Sequence, residues 1–194
     1  MIKMIYTLAS LMISGTLLAQ HIDGAKIQDQ FGLTGDSISL PISIINTYPF
    51  ISGEINGVKG KLMFDTGNQN ALDINNNIIP LSFQKEVGNG QVASGQKFKK
   101  YINDTIEEVK LVNGLRFQNL KRIPSANYDF LQNNITPDCI GYIGHDFFKG
   151  YLFKLDYTKR QITFYKNTSE RESSKDFLVG EKVLAVLQFE TRRL

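Results

Sequence analysis

Cysteine is almost absent from the sequence, which contains one, Cys139, in 194 residues. A lone thiol cannot form a disulfide within the chain, and no pair of cysteines exists to hold a zinc ion. The two histidines, His21 and His145, lie far apart in sequence and show no metal-ligand spacing. We therefore predict that packing stabilises the fold, that Cys139 is a small buried residue, and that the protein uses no metal and no cofactor.

Strong charge and long apolar runs are missing as well. A net charge of +3 is too small to indicate a nucleic-acid partner. The apolar segment of residues 4–18 is shorter than the roughly 20 residues that a membrane-spanning helix needs. It follows Lys3 and ends in small residues before Gln20, an order typical of a signal peptide, with an uncleaved anchor as the alternative. We expect residues 1–19 to be cleaved, leaving an exported protein, periplasmic or secreted, without a stable membrane span.

Helical periodicity is scarce, whereas strand-like alternation fills most of the chain. Apolar residues alternate with polar or small ones over residues 38–44. The pairs Asn56-Gly57 and Asn113-Gly114 separate apolar runs and predict two hairpins. A third turn is predicted at residues 158–160. The fold class is thus mostly β, a closed or nearly closed barrel, with one short helix near residues 145–149.

The chain after residue 19 is long enough for one domain with a real core, but too short for two large lobes. We divide it into an N-terminal arm and first strand (20–47), a main domain (48–166), and a polar linker with a C-terminal strand (167–194). The first part of the arm, residues 20–37, is either a short pro-segment or a loose extension. The apolar stretch of residues 182–190 is the predicted last strand.

The triplet Asp65-Thr66-Gly67 is the first candidate for chemistry. The acid follows the apolar stretch of residues 62–64 directly, so it lies at the end of a buried strand, where an unpaired carboxylate is costly. Gly67 permits a tight turn and the close approach of another backbone. Thr66 adds a hydroxyl that can bond to a neighbour. An alternative pairs Cys139 as a nucleophile with His145 as its base.

Two sequence elements in a fixed order make the setting more specific. The first comprises residues 48–57 and 61–67, and the second comprises residues 139–148, 153–157 and 162–164. In these elements the chain resembles the retropepsin-like aspartic proteases, in their bacterial exported branch. The resemblance covers about residues 48–166, which is most of the chain after the predicted signal peptide.

The resemblance implies a retropepsin-like closed β-barrel and an aspartic-type endopeptidase, with Asp65 as the catalytic acid and base. A hairpin flap is expected between residues 88 and 103. The resemblance further implies that an apolar segment lies beside the loop of the catalytic acid. The supporting loop residues are then Thr66, Gly67 and Asn68, and the adjacent segment is Tyr142, Ile143 and Gly144.

Such chemistry needs two carboxyl groups that share one proton, whereas this chain contains one Asp-Thr-Gly triplet. The second acid is therefore expected from another copy of Asp65 in a twofold homodimer, or from a second lobe outside this chain. The expected substrate is an extended polypeptide, bound as an added strand.

Asn68 departs from the family pattern, because the residue after the triplet is usually small. An amide side chain close to the reactive carboxyl leaves a second interpretation open. In that interpretation the protein is a catalytically inactive, retropepsin-like peptide-binding module of the cell envelope.

Overall fold

The computed structural model of the protein describes residues 35–92 and 95–174, with the backbone alone for residues 172–174. The predicted signal peptide (1–19) and the predicted last strand (182–190) lie outside these residues. The described chain forms mainly strands, in the order β1 (Ser37–Pro41), β2 (Ser43–Ile45), β3 (Tyr48–Ile55), β4 (Val58–Phe64), β5 (Leu72–Asn75), β6 (Gln84–Gln91), β7 (Lys97–Leu111), β8 (Arg116–Ala126), β9 (Cys139–Ile143), β10 (Tyr151–Asp156) and β11 (Gln161–Lys166). Three short helices accompany them, α1 (Asp129–Asn134), α2 (His145–Phe148) and α3 (Ser169–Ser174).

The predicted mostly β class is confirmed, and the strands form two sheets. The smaller sheet has the order β1-β11-β10, and the larger has the order β2-β3-β4-β9-β5-β8-β7-β6. An additional antiparallel pairing joins β3 to β7, from Gly53 opposite Leu111 to Ile55 opposite Val109. The strands β3, β4, β9, β5, β8 and β7 therefore form a ring in which each strand is hydrogen-bonded to the next.

The three predicted turns are confirmed as hairpin connections. Asn56 and Gly57 join β3 to β4 with φ angles of 46° and 85°. Two positive φ angles are what a tight two-residue hairpin turn requires, and asparagine and glycine tolerate them best. Gly114 connects β7 to β8 with φ of 87°, and a turn around residues 157–160 connects β10 to β11.

A fourth hairpin is built from β6 and the first half of β7, in the region where the sequence predicts a flap. Its register runs from Gln84 opposite Asn103 to Gln91 opposite Lys97. The backbone N–H of Val92 donates to Gln96 O at 3.1 Å near its tip. β6 lies at the end of the larger sheet and is hydrogen-bonded to β7, so the hairpin presents a strand edge.

A cluster of phenylalanine rings joins the two sheets. Phe64 at the end of β4 packs on Phe148, Phe153 and Phe164, with ring centroids 5.3, 5.4 and 6.1 Å away. Burying an aromatic side chain stabilises the folded state by roughly 2–3 kcal/mol. Phe153 and Phe164 belong to the smaller sheet, so this packing holds the end of β4 from outside the ring of six strands.

Some elements differ from those expected. The predicted first strand is two strands, since β1 pairs with β11 and β2 pairs with β3; Leu40 on β1 is fully buried. The helix near residues 145–149 is present as α2, but α1 and α3 are additional. Helices of six residues span fewer than two turns, so they leave almost no periodic pattern to detect.

Candidate active site

Two parallel neighbours, β4 and β9, end side by side at the candidate site. Phe64, the last residue of β4, lies in register with Ile143, the last residue of β9. The backbone N–H of Asp65 donates to Ile143 O at 2.9 Å. Asp65 and Gly144 are therefore the first residues beyond two strands that point the same way. Loops that follow adjacent parallel strands meet at one edge of a sheet, where side chains converge easily.

The chain turns tightly after Asp65. Its carboxylate oxygen Oδ1 accepts a hydrogen bond from Gly67 N at 2.9 Å, and Asn68 N donates to Asp65 O at 3.2 Å. The side chain of Asp65 is half-buried, while Thr66 and Gly67 are exposed. The carboxyl group is thus oriented by its own loop and remains open to solvent on one side.

The Asp65 loop, defined as residues 65–71, lies across the start of α2. Gly144 N donates to Ala71 O at 3.2 Å, His145 N to Asn68 O at 2.7 Å, and Asp146 N to Gln69 O at 3.2 Å. The first N–H groups of a helix have no partner within the helix. Here the carbonyl groups of the Asp65 loop accept from them, which ties the loop to the segment after β9.

Gly144 permits this close approach. A Cβ atom at position 144 would lie 2.3 Å from Asn70 O and 2.4 Å from Asn68 O. Both distances are far inside van der Waals contact, and both partners are backbone atoms that cannot rotate away. The structure thus brings the segment of Tyr142, Ile143 and Gly144 directly against the Asp65 loop, with glycine at the tightest point.

The side chain of Asn68 forms its hydrogen bonds inside the loop. Its Oδ1 accepts from Asn70 N at 3.0 Å, and its Nδ2 lies 3.5 Å from Asp73 Oδ2, at the limit of a hydrogen bond. Such a contact between an asparagine and the backbone two residues on stabilises a turn. Asn68 therefore has a local structural use that an alanine could not supply.

A second carboxyl group, Asp73 on β5, is buried beneath the loop. It is 6% exposed, and its Oδ2 accepts from Asn70 Nδ2 at 2.8 Å. Burial raises the pKa of Asp73, opposed by hydrogen bonds from Asn70, Tyr128 and Asn68. Asp73 lacks the Thr-Gly context of Asp65, so the sequence alone does not mark it as a candidate. Its signal was a charged residue between Leu72 and Ile74 in an apolar strand.

Three aromatic rings connect the β6–β7 hairpin to β9. Phe98 on β7 packs edge-on against Tyr128 at 5.2 Å between centroids, and Tyr128 packs likewise against Tyr142 at 5.1 Å. Burial raises the pKa of the Tyr142 phenol, and interactions with Cys139, Asp65 and Asp73 raise it further. The Tyr142 phenol therefore stays neutral at ordinary pH.

Cys139 and His145 have separate partners. The Cys139 side chain is fully buried among residues such as Phe50 and Met63, and burial raises the pKa of its thiol to about 11. The ring of His145 is instead close to Gln69 and Asp146. A thiol with so high a pKa is a poor nucleophile, as the prediction of a buried structural cysteine implies.

We expect Cys139→Ala to leave any peptide cleavage within about twofold of the wild type, because the thiolate is almost absent below pH 9. The native thiol should also fail to react at pH 8 with an aromatic disulfide that releases a coloured thiolate, until the protein is unfolded in guanidinium. Rapid labelling of the native thiol, with loss of cleavage in proportion, would contradict both statements.

Two clefts on the described surface lie away from the Asp65 loop. One, of about 460 Å³, includes Gly53 and Leu111 at the β3–β7 pairing. The other, of about 720 Å³, includes Phe98 and Asp129 between the hairpin and α1. The lining of neither includes a residue of the Asp65 loop.

Within residues 35–92 and 95–174, no three His, Cys, Asp or Glu side chains are grouped so that they could hold a metal ion. In the same part of the chain, no helix has the length and apolar character needed to cross a membrane.

Comparison with known proteins gives a likeness of structure. The chain matches no family model and no curated protein sequence. It is similar to the crystal structure of a retropepsin-like aspartic protease from Rickettsia conorii, with 19% sequence identity and a TM-score of 0.39. That similarity covers 66% of this chain and 89% of the other.

Proposed function

We propose that the protein is an aspartic-type endopeptidase and that Asp65 is its catalytic acid and base. One observation carries the proposal. The half-buried Asp65 carboxyl lies where β4 and β9 end together, and Gly67 N holds it at 2.9 Å. A carboxyl group that is oriented by a backbone N–H yet open to solvent is suited to activate a water molecule.

The reaction needs a pair of such groups. Two carboxyls about 3 Å apart cannot both ionise, so they share one proton and titrate as a pair. The ionised member takes a proton from water while the oxygen of that water attacks the peptide carbonyl carbon. The protonated member donates to the carbonyl oxygen. Collapse of the tetrahedral intermediate transfers a proton to the leaving nitrogen and breaks the C–N bond.

The second carboxyl is proposed to be Asp65 of another copy, with a second lobe as the alternative. Thr66 and Gly67 next to it are exposed, as residues that meet a twofold partner must be in the single chain. The two described clefts do not include the loop. We propose that the substrate cleft at Asp65 is completed when a partner covers this surface.

The proposed substrate is an extended polypeptide in the space between the β6–β7 hairpin and the Asp65 loop. β6 has exposed backbone at the end of the larger sheet, which favours binding of a peptide as an added strand. The N-terminal sequence further supports an exported protein, so we propose that the substrates are met in the periplasm or outside the cell.

The test is cleavage of a mixed peptide library by the purified protein between pH 3 and pH 7, with and without pepstatin, beside sedimentation at the same concentrations. We expect pepstatin-sensitive cleavage whose specific rate rises with the dimer fraction. Tight peptide binding without cleavage, at concentrations where the dimer forms, would instead support the inactive binding module. If the protein neither cleaves nor binds peptides, the endopeptidase and the binding-module interpretations are both wrong.

A further inference from the structure

Asp73 is a buried carboxyl group that the proposed reaction does not use. It lies on β5 opposite Tyr142 of β9 in the antiparallel register, so both side chains are on the same face of the sheet. A buried ionisable group is costly unless hydrogen bonds compensate for lost hydration. The partners of Asp73 therefore indicate what the group is for.

Two of these partners belong to the Asp65 loop. Asn70 Nδ2 donates to Asp73 Oδ2 at 2.8 Å, and Asn68 Nδ2 lies 3.5 Å from the same oxygen. Asn68 also accepts from Asn70 N and, through its backbone carbonyl, from His145 N. One carboxyl oxygen thus orients two consecutive turns of the loop that begins at Asp65.

The third partner links Asp73 to the hairpin. The Tyr128 side chain interacts with the Asp73 carboxyl and lowers its pKa, against the rise that burial causes. The Tyr128 ring packs on Tyr142, which lies opposite Asp73, and on Phe98 of β7. Gly90 on β6 makes room for this contact, since a Cβ there would lie 2.4 Å from the Phe98 ring. The Asp73 carboxyl is therefore shared between the Asp65 loop and the element proposed to cover the substrate.

We propose that Asp73 is a positioning residue, whose buried carboxyl holds the Asp65 loop through Asn70 and Asn68 and connects that loop to the β6–β7 hairpin through Tyr128. The proposal rests on the proposed function for its catalytic consequence, but its structural content stands without it. Asp73 does not touch the reacting atoms. It acts by fixing the loop from which Asp65 projects.

The first test compares Asp73→Leu, which removes the acceptor oxygens, with Asp73→Asn, which keeps one. In the leucine variant we expect amide hydrogen exchange of residues 66–70 and of His145 to accelerate about tenfold. In the asparagine variant the change should stay within about threefold. Amides of β10 and β11 serve as an internal reference, and Asp104→Asn, an exposed carboxyl on β7, is the matched control.

A second variant covers the case in which the leucine substitution prevents folding. Asn70→Ala removes the 2.8 Å donor and leaves Asp73 intact, so the same loop amides should exchange faster. Folded Asn70→Ala and Asp73→Leu proteins with wild-type exchange at residues 66–70 would overturn the proposal. So would a failure of Asn70→Ala alone to alter exchange if the leucine variant does not fold.

The pH dependence of stability gives an independent readout. Burial raises the pKa of Asp73, against hydrogen bonds from Asn70 and Tyr128 and the positive charge of Lys100 on β7. Tyr142 of β9 also faces it. A carboxyl whose pKa is raised in the folded state stabilises that state fully below its ordinary pKa, and this contribution is lost as pH rises through the raised value.

The free energy of unfolding of the wild type should therefore fall relative to Asp73→Asn as the pH rises from about 4. A difference that is constant with pH would show that the Asp73 carboxyl is not buried as the proposal requires.

In the catalytic assay, Asp73→Leu should lower kcat up to about 100-fold with KM within about threefold, since misplacement of a reactive group acts on the chemical step.

These readouts separate the two proposals. If the wild type cleaves no peptide, the proposed function fails, while the exchange and stability measurements still decide the role of Asp73. If the wild type cleaves peptides and folded Asp73→Leu cleaves them equally well with unchanged exchange, the function stands and the positioning role is wrong.

Discussion

Asp65→Asn should reduce peptide cleavage about 1,000-fold or more, because the amide can neither take a proton from water nor share one with a partner acid. The side chain is almost unchanged in shape. An amide that presents its Oδ1 to Gly67 N keeps the 2.9 Å hydrogen bond of the turn, so folding should be unaffected. The measurement is the initial rate of cleavage of one peptide selected from the library, with circular dichroism and sedimentation of both proteins.

Asp104→Asn is the matched control, since it makes the same chemical change at an exposed position on β7. Its rate should equal that of the wild type. Undiminished cleavage by a folded Asp65→Asn protein would remove Asp65 from the mechanism and with it the proposed function.

Mixing the two proteins tests where the second acid comes from. If copies exchange freely in a homodimer, only pairs of wild-type copies are active, so an equal mixture should retain about half of the activity of the wild type that it contains. Full retention would favour a second acid supplied by another lobe.

Gly144→Ala should lower the free energy of unfolding by about 3 kcal/mol, at the upper end of the cost of adding a methyl group to a packed site. The new Cβ would lie 2.3 Å from Asn70 O and 2.4 Å from Asn68 O. Relief of the clash requires the Asp65 loop to move away from α2, which breaks the hydrogen bonds of His145 N and Asp146 N to the loop. Urea denaturation measures the loss of stability.

Gly114→Ala separates steric conflict from backbone strain. Gly114 has φ of 87°, with nothing within 4 Å of the position of a Cβ. Its replacement should therefore cost only the strain of a left-handed alanine, about 1 kcal/mol. Equal losses at positions 144 and 114 would mean that the packing of the loop against α2 is not tight.

The local features of the fold could be predicted from the sequence because local chemistry determines them. Asn56-Gly57 tolerates two positive φ angles, so it marks a hairpin wherever it separates two apolar runs. The end of β4 at Phe64 was predictable for a similar reason, since an acid follows an uninterrupted apolar stretch. The buried state of Cys139 followed from its being the one cysteine of the chain.

The partners of Asp73 could not be predicted in this way. Asn70 is near in sequence, but Tyr128 is brought to Asp73 by the pairing of β5 with β8 and β9. Register between distant strands depends on the packing of the whole core. The pairing of β3 with β7, which closes the ring of strands, could not be predicted for the same reason. One strand was expected before Tyr48, where the structure has two, because a single alternating pattern runs past residue 42 without a break.

The pairing of β4 with β9 has a consequence for when the candidate site forms during folding. These strands meet across residues 64 and 143, and the chain between them contains the β6–β7 hairpin, β8 and α1. Contacts so remote along the polypeptide form late, because a large loop must close first. A nascent chain in which β4 and β9 have not yet paired therefore has Asp65 but lacks the Ile143 carbonyl and the Gly144 contact around it, so the candidate site exists only after most of the domain has folded.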